Sequence, residues 1–210
     1  MHTAAARVLF TMTLLFRAST SAADSIAPPS TYLVESADQQ FVFVMVPPLS
    51  LEQELRFLSE DFGEKTRKIR EAHPVSGLYR NDGTSEPLWT VDWYASGAEI
   101  YSDGVHLVRH GPWAQRLSDE AISFFANGKL LRSYRVSDLI KDRSRLERTV
   151  SHFFWQEDVR LDDRALRYTV ATVDRRCYVF DVTTGAIVSV TSPCKPASSS
   201  AADERNWREH

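Results

Sequence analysis

Asp103-Gly104-Val105-His106-Leu107-Val108-Arg109 sets a turn aspartate ahead of an alternating strand, and the rest of the chain can be read outward from it. The same arrangement stands 65 residues earlier, at Asp38-Gln39-Gln40-Phe41-Val42-Phe43-Val44, and 60 residues later, at Asp163-Arg164-Ala165-Leu166-Arg167-Tyr168-Thr169. In the last two units a second hairpin turn follows, at Asn127-Gly128 and Thr184-Gly185, 57 residues apart. Such dipeptides supply the positive φ that tight hairpin turns require. Periods of this order, with several strands each, predict blade-like antiparallel sheets.

The expected fold is therefore mainly β, with antiparallel blade-like sheets in partial propeller-like or sandwich packing and one amphipathic helix near residues 50–73. Two full blades and one partial blade fit, too few to close a ring of about four to eight blades. The blades must then pack on each other, on the helix or on a partner. Strands are expected over 32–36, 41–46, 88–95, 99–102, 105–109, 121–125, 129–136, 150–155, 159–161, 165–173, 177–181 and 186–190. In the second of these, Phe41, Phe43 and Met45 fall on one face and Val42, Val44 and Val46 on the other, so both faces are buried. Leu51, Leu55, Leu58 and Phe62 recur at helical spacing between a Ser50/Gln53 capping box and Pro74, with Gly63 placed to divide the helix. Its charged face, including Lys65, Arg67 and Lys68, reads as solvated. Ser137 to Ile140 reads as a helical turn, followed by a charged connector over 141–148.

Twenty-five basic against 28 acidic residues give a net charge of -3, too balanced to hold a phosphate backbone by counterion release, so no nucleic-acid partner is expected. Neither G-x-G-x-x-G nor G-x-x-x-x-G-K-[ST] occurs.

Met1 to Arg7 ends in a cation, Val8 to Phe16 is apolar apart from threonines, and Ser21-Ala22-Ala23 supplies small residues for signal peptidase. Residues 1–23 thus read as a signal peptide cleaved after Ala23. The competing reading is an amphipathic N-terminal helix, since Arg17 interrupts the usual pattern. Residues 24–30 follow as a linker, 31–195 as one β-rich domain, and 196–210 as a disordered tail. Cleavage removes Arg7 and Arg17, leaving 23 basic and 28 acidic residues, a charge of -5. No later segment is long and apolar enough for a membrane span, so a periplasmic or secreted location is expected. There an even pair, Cys177 and Cys194, reads as one disulfide closing a loop of about 18 residues and contributing about 3 kcal/mol. With Thr184-Gly185 as a hairpin tip, Cys177 falls opposite residues near 191. Metal ligation by the cysteines lacks any C-x-x-C or paired histidine.

Val179 to Val188 contains Asp181-Val182-Thr183-Thr184-Gly185, which resembles the D-x-x-T-G hairpin of bacterial propeller repeats, including the pyrroloquinoline-quinone type. Ser102-Asp103-Gly104 resembles the leading turn of WD40-like blades. Each resemblance covers about ten residues, implies blade topology and carries no cofactor. Ser76 to Gly83, Pro87 to Tyr94, Asp103 to Arg109, Phe124 to Gly128 and Thr149 to Phe153 together resemble a family of exported bacterial proteins with a domain of no assigned activity. That resemblance implies an envelope origin.

Chemistry is sought in a few places. His106 and His110 share a strand face, beside Asp103, and as zinc ligands would need a third residue such as His152 because four strand positions span about 13 Å. Local structural use is the simpler reading, and no metal is expected. Asp92, in an aromatic strand from Trp89 to Tyr94, is a candidate buried acid, or a partner for Arg80 or Arg109. Asp82, Ser85 and Glu86 concentrate oxygens without EF-hand spacing, so a turn is the default. Trp89, Trp93 and Trp113, with Trp155, build a sugar or peptide platform if two are exposed, whereas alternation points Trp89 and Trp93 into a core. No G-x-S-x-G elbow, H-E-x-x-H helix or Cys nucleophile with a histidine partner occurs.

These observations lead to a non-enzymatic envelope protein that binds another protein or a surface polymer, with no cofactor. The alternative is a small-molecule or metal-dependent enzyme using Asp92 or the three histidines, which requires those groups to meet around a pocket.

Overall fold

The computed structural model describes residues 29–50 and 63–194. The signal peptide, most of the linker, the Leu51 to Phe62 half of the expected helix and the 196–210 tail lie outside them. Three four-stranded antiparallel meanders follow one another, each with its strands in chain order. The first blade is β1 (Tyr32–Glu35), β2 (Phe41–Met45), β3 (Gly77–Arg80) and β4 (Pro87–Thr90). The second is β5 (Ala98–Ile100), β6 (His106–His110), β7 (Glu120–Ala126) and β8 (Lys129–Arg135). After a two-stranded hairpin, β9 (Glu147–Arg148) and β10 (Phe153–Phe154), the third is β11 (Gln156–Asp162), β12 (Arg167–Thr172), β13 (Cys177–Asp181) and β14 (Ala186–Thr191). Among the described residues two α-helices accompany them, α1 (Glu64–Ala72) and α2 (Val136–Leu139).

The first blade is complete rather than partial, because Gly77–Arg80 is a strand. Only four residues long and opened by glycine, β3 carries little strand signal in the sequence. The glycine is required there: a Cβ would run into the Trp89 carbonyl oxygen of β4. Conversely the aromatic strand expected over 88–95 ends at Thr90.

Asp38, Asp103 and Asp163 occupy the turn between the first and second strands of their blades, and Gly83, Gly128 and Gly185 the turn between the third and fourth. Each of those glycines has positive φ, at 87°, 74° and 67°. The register repeats as well. Beside each third turn the fourth strand carries one residue without a partner: Leu88 between Trp89 and Pro87, Leu131 between Arg132 and Leu130, and Val188 between Ser189 and Ile187. These are β-bulges at equivalent positions.

Blades stack in one orientation. The cross-strand pairs Val42–Tyr79, Leu107–Phe125 and Tyr168–Phe180 face back along the stack, and Phe43–Leu78, Val108–Phe124 and Thr169–Val179 face forward. Phe43, Met45, Leu78 and Trp89 of the first blade thus meet Ile100, Leu107 and Phe125 of the second. Val108, Ile122 and Phe124 of the second meet Tyr168, Val170, Tyr178 and Phe180 of the third. Polar ties recur between corresponding turns: the Asp38 N–H donates to Ser102 Oγ at 3.3 Å, and the Ser102 N–H to Asp163 Oδ1 at 2.8 Å. Trp89 Nε1 donates to the Gly104 carbonyl (3.0 Å), the Tyr101 hydroxyl to that of Arg167 (2.9 Å) and the Tyr134 hydroxyl to that of Gly185 (2.8 Å).

At the back of the stack, Val42, Val44 and Tyr79 are covered by Val46 and by Ile69 of α1. Arg70 anchors that helix, donating to Thr31 Oγ1 at 2.9 Å and to the Pro47 carbonyl at 3.0 Å. Lys68 pairs with Glu64 on the solvated face, as expected, while Arg67 is half-buried. At the front, Thr169 and Val179 sit among the ion pairs Arg167–Asp181 (3.0 Å) and Arg160–Asp158 (2.9 Å). Cys177 lies opposite Thr191 and is bonded to Cys194, with Cα atoms 4.9 Å apart, so the disulfide ties the last strand to its neighbour.

Candidate functional site

The histidines do not converge. His106 Nδ1 is 2.5 Å from Asp103 Oδ2, a local clasp that closes the β5–β6 turn. His110 lies between blades, its Nε2 3.0 Å from the Tyr168 hydroxyl and 3.7 Å from Glu99 Oε1. Burial pushes the His110 imidazole down to about 4 and raises both Glu99 and the Tyr168 phenol. At His110 desolvation outweighs the nearby carboxylate, and the trio forms a polar tie between blades rather than an acid-base centre open to substrate. His152 is buried against Trp113, ring centroids 4.3 Å apart, with Nδ1 2.9 Å from Thr149 Oγ1. Along β6 the buried Val108 separates His106 from His110, so each finds a partner in a different neighbour. Among the described residues no group of three His, Cys, Asp or Glu side chains is placed to hold a metal ion.

The other candidates are corrected or confined. Asp92 is exposed in the bend beyond β4, because the strand that would have buried it stops at Thr90. Arg109 is taken by Glu120 through two hydrogen bonds of 2.9 and 2.6 Å, and its guanidinium lies 4.7 Å from the Trp93 ring centre. Trp89 is buried and Trp93 packs on Phe43 and Phe125, so these two form core and no platform. Trp155 is buried too, and Trp113 alone of the four is exposed. Asp82 accepts from the Thr84 N–H and hydroxyl at 3.0 and 2.7 Å, an Asx turn that uses the carboxylate locally and leaves Ser85 and Glu86 exposed. A cleft of about 200 Å³ between Thr31, Pro47, Leu49 and Arg70 is smaller than the roughly 300 Å³ at which ligand pockets begin.

What the blades do present is a rim. Their fourth strands lie along one side: the β7–β8 turn packs on Thr90 of β4, and a Cβ at Gly185 would stand 2.7 Å from Cβ of Arg132 on β8. The bulge residues open onto this side, Leu88 being 43% exposed, Leu131 40% and Val188 51%. Leu130, Ile187 and Val190 extend the apolar surface. A bulge breaks the alternation that sends every second side chain inward, and so leaves two consecutive aliphatics outside. Charge concentrates at the centre: Lys129, Arg132 and Arg135 of β8 are exposed and none pairs with a carboxylate among the described residues, whereas β4 and β14 carry no charged residue. The signal was available in the sequence as Leu130-Leu131 and Ile187-Val188, each two and three residues beyond a turn glycine. Alternation allows one apolar residue there.

No protein-family model and no curated protein matches the chain.

Proposed function

We propose that this is an exported envelope protein, cleaved after Ala23 and akin to the exported bacterial family its segments resemble, that binds another macromolecule through the fourth-strand rim rather than catalysing a reaction. One observation carries the reading: Leu88, Leu131 and Val188 are exposed at equivalent bulges in all three blades. Contiguous exposed aliphatics bordered by charge are characteristic of interaction surfaces. The Cys177–Cys194 bond is consistent with an oxidising, extracytoplasmic compartment. A partner protein or surface polymer in that compartment is the binding target.

N-terminal sequencing of the mature protein should begin at Asp24. Affinity capture from the native envelope should return a stoichiometric partner with the wild-type chain and lose it with Leu131→Asp combined with Val188→Asp. Both substitutions are at exposed positions, and an unchanged melting temperature would verify the fold. Retention of the same partner by the double variant, or no partner for the wild type, defeats the reading.

A further inference from the structure

Three long edges compete for attention. β11 bears Glu157, Asp158, Arg160 and Asp162, β14 bears no charge, and β8 bears three cations with two exposed leucines between them. Resting on the rim reading above, we propose that β8 receives an extended, acidic, aliphatic-bearing peptide segment of a partner protein by strand addition.

Strand order leaves one side of β8 without a neighbouring strand among the described residues, and apart from the Arg135 N–H, which donates to Asp138 Oδ2 at 2.8 Å, its outward N–H and C=O groups face another chain's approach. Lys129, Arg132 and Arg135 form a local cluster of three positive charges on a chain whose net charge is -3. The nearest acid on the partner strand, Glu120, is committed to Arg109 and accepts weakly from Ser133 at 3.4 Å. Such a cluster repels a second copy of itself and attracts carboxylates. Edge cations alone serve to keep a sheet edge solitary. Leu130 and Leu131 do not fit that purpose, because exposed leucines between the cations favour association. Together the cations, the leucines and the open backbone match a segment that alternates carboxylate and aliphatic side chains. Anionic lipid would satisfy the cations and leucines but leave the strand's peptide groups unpaired.

The test uses the mature full-length protein, a fluorescein-labelled peptide of alternating Glu and Val, its Lys/Val counterpart, and vesicles of phosphatidylglycerol with phosphatidylcholine. Anisotropy should show saturable binding of the Glu/Val peptide, tighter than Lys/Val by about tenfold or more and weakening with salt. Arg132→Glu and, separately, Lys129→Glu should each reduce it several-fold. Hydrogen exchange should slow at the β8 amides on binding. Absence of Glu/Val binding, indifference to both substitutions, or vesicle binding without amide protection each overturns the proposal. Capture that depends on Leu131 and Val188 while the Glu/Val peptide fails to bind would discard the acidic strand and keep the rim. Failure of that capture would discard the rim itself.

Discussion

The two ends of the blade stack solve one problem in opposite ways. At the back, Val42–Tyr79 is as apolar as the pairs that bury themselves between blades, and it needs α1 and Ile69 to cover it. At the front, the equivalent forward pair has shrunk from Phe43–Leu78 and Val108–Phe124 to Thr169–Val179, ringed by ion pairs, and needs no cover. A meander of this kind stacks for as long as its forward face is apolar. Terminal repeats with a polar outer face stop a solenoid by the same logic.

The largest effects should come from positions that are equivalent in register and different in cover. Phe124→Ala, between the second and third blades, and Tyr79→Ala, under the helix, should each cost about 3–5 kcal/mol in urea denaturation. Val179→Ala, the forward position corresponding to Phe124, should cost less than about 1 kcal/mol. Equal losses at all three would show that the front face is buried after all.

Removing the disulfide with Cys177→Ser and Cys194→Ser should lower stability by about 3 kcal/mol and leave the first blade's interface with the second unchanged. Comparable destabilisation of both interfaces, read by hydrogen exchange, would mean that the blades fold as one unit.

His110 links blade packing to pH. Its folded value of about 4 lies below the unfolded value near 6.5, so protonation favours the unfolded chain. The tie's full contribution holds above about pH 6.5 and declines as pH falls toward 4, by about 3 kcal/mol at most. Glu99, raised by burial, stabilises in the opposite direction as pH falls, so the difference between wild type and His110→Gln isolates the histidine. A wild-type minus variant difference that does not change between pH 7 and 4.5 would remove His110 as the source.

The smallest intrinsic effect sharpens the comparison most. Thr169→Phe with Val179→Leu copies the forward pair of the first blade onto the third and should change monomer stability by less than about 1 kcal/mol. It should, however, create self-association detectable by sedimentation. A strictly monomeric variant would mean that something other than polarity ends the stack.

Much of this arrangement was legible in the sequence, and the reasons are local. Asn127-Gly128 and Gly185 mark hairpins because few other residues tolerate a positive φ, and the turn aspartates Asp38 and Asp103 mark them by accepting the backbone N–H two residues on. Phe41 to Met45 announced burial on both faces, and the cysteine spacing placed Cys177 opposite Thr191. β3 escaped because its glycine serves the close approach of Trp89, a requirement set by a residue 12 positions away. Asp92, read as part of a strand, is exposed, whereas the histidines take structural roles in line with their simpler reading; where a strand stops and which neighbour claims a side chain depend on packing between blades. The rim was half written, in the doubled aliphatics, but exposure of a bulge is a property of the sheet.

The most direct measurement compares envelope capture by the wild type, by Leu131→Asp with Val188→Asp, and by Thr169→Asp on the front face. A stoichiometric partner held by the wild type and Thr169→Asp, and lost only by the rim variant, is the predicted result. A partner lost through Thr169→Asp, or held by all three proteins, would contradict the assignment of binding to the fourth-strand rim.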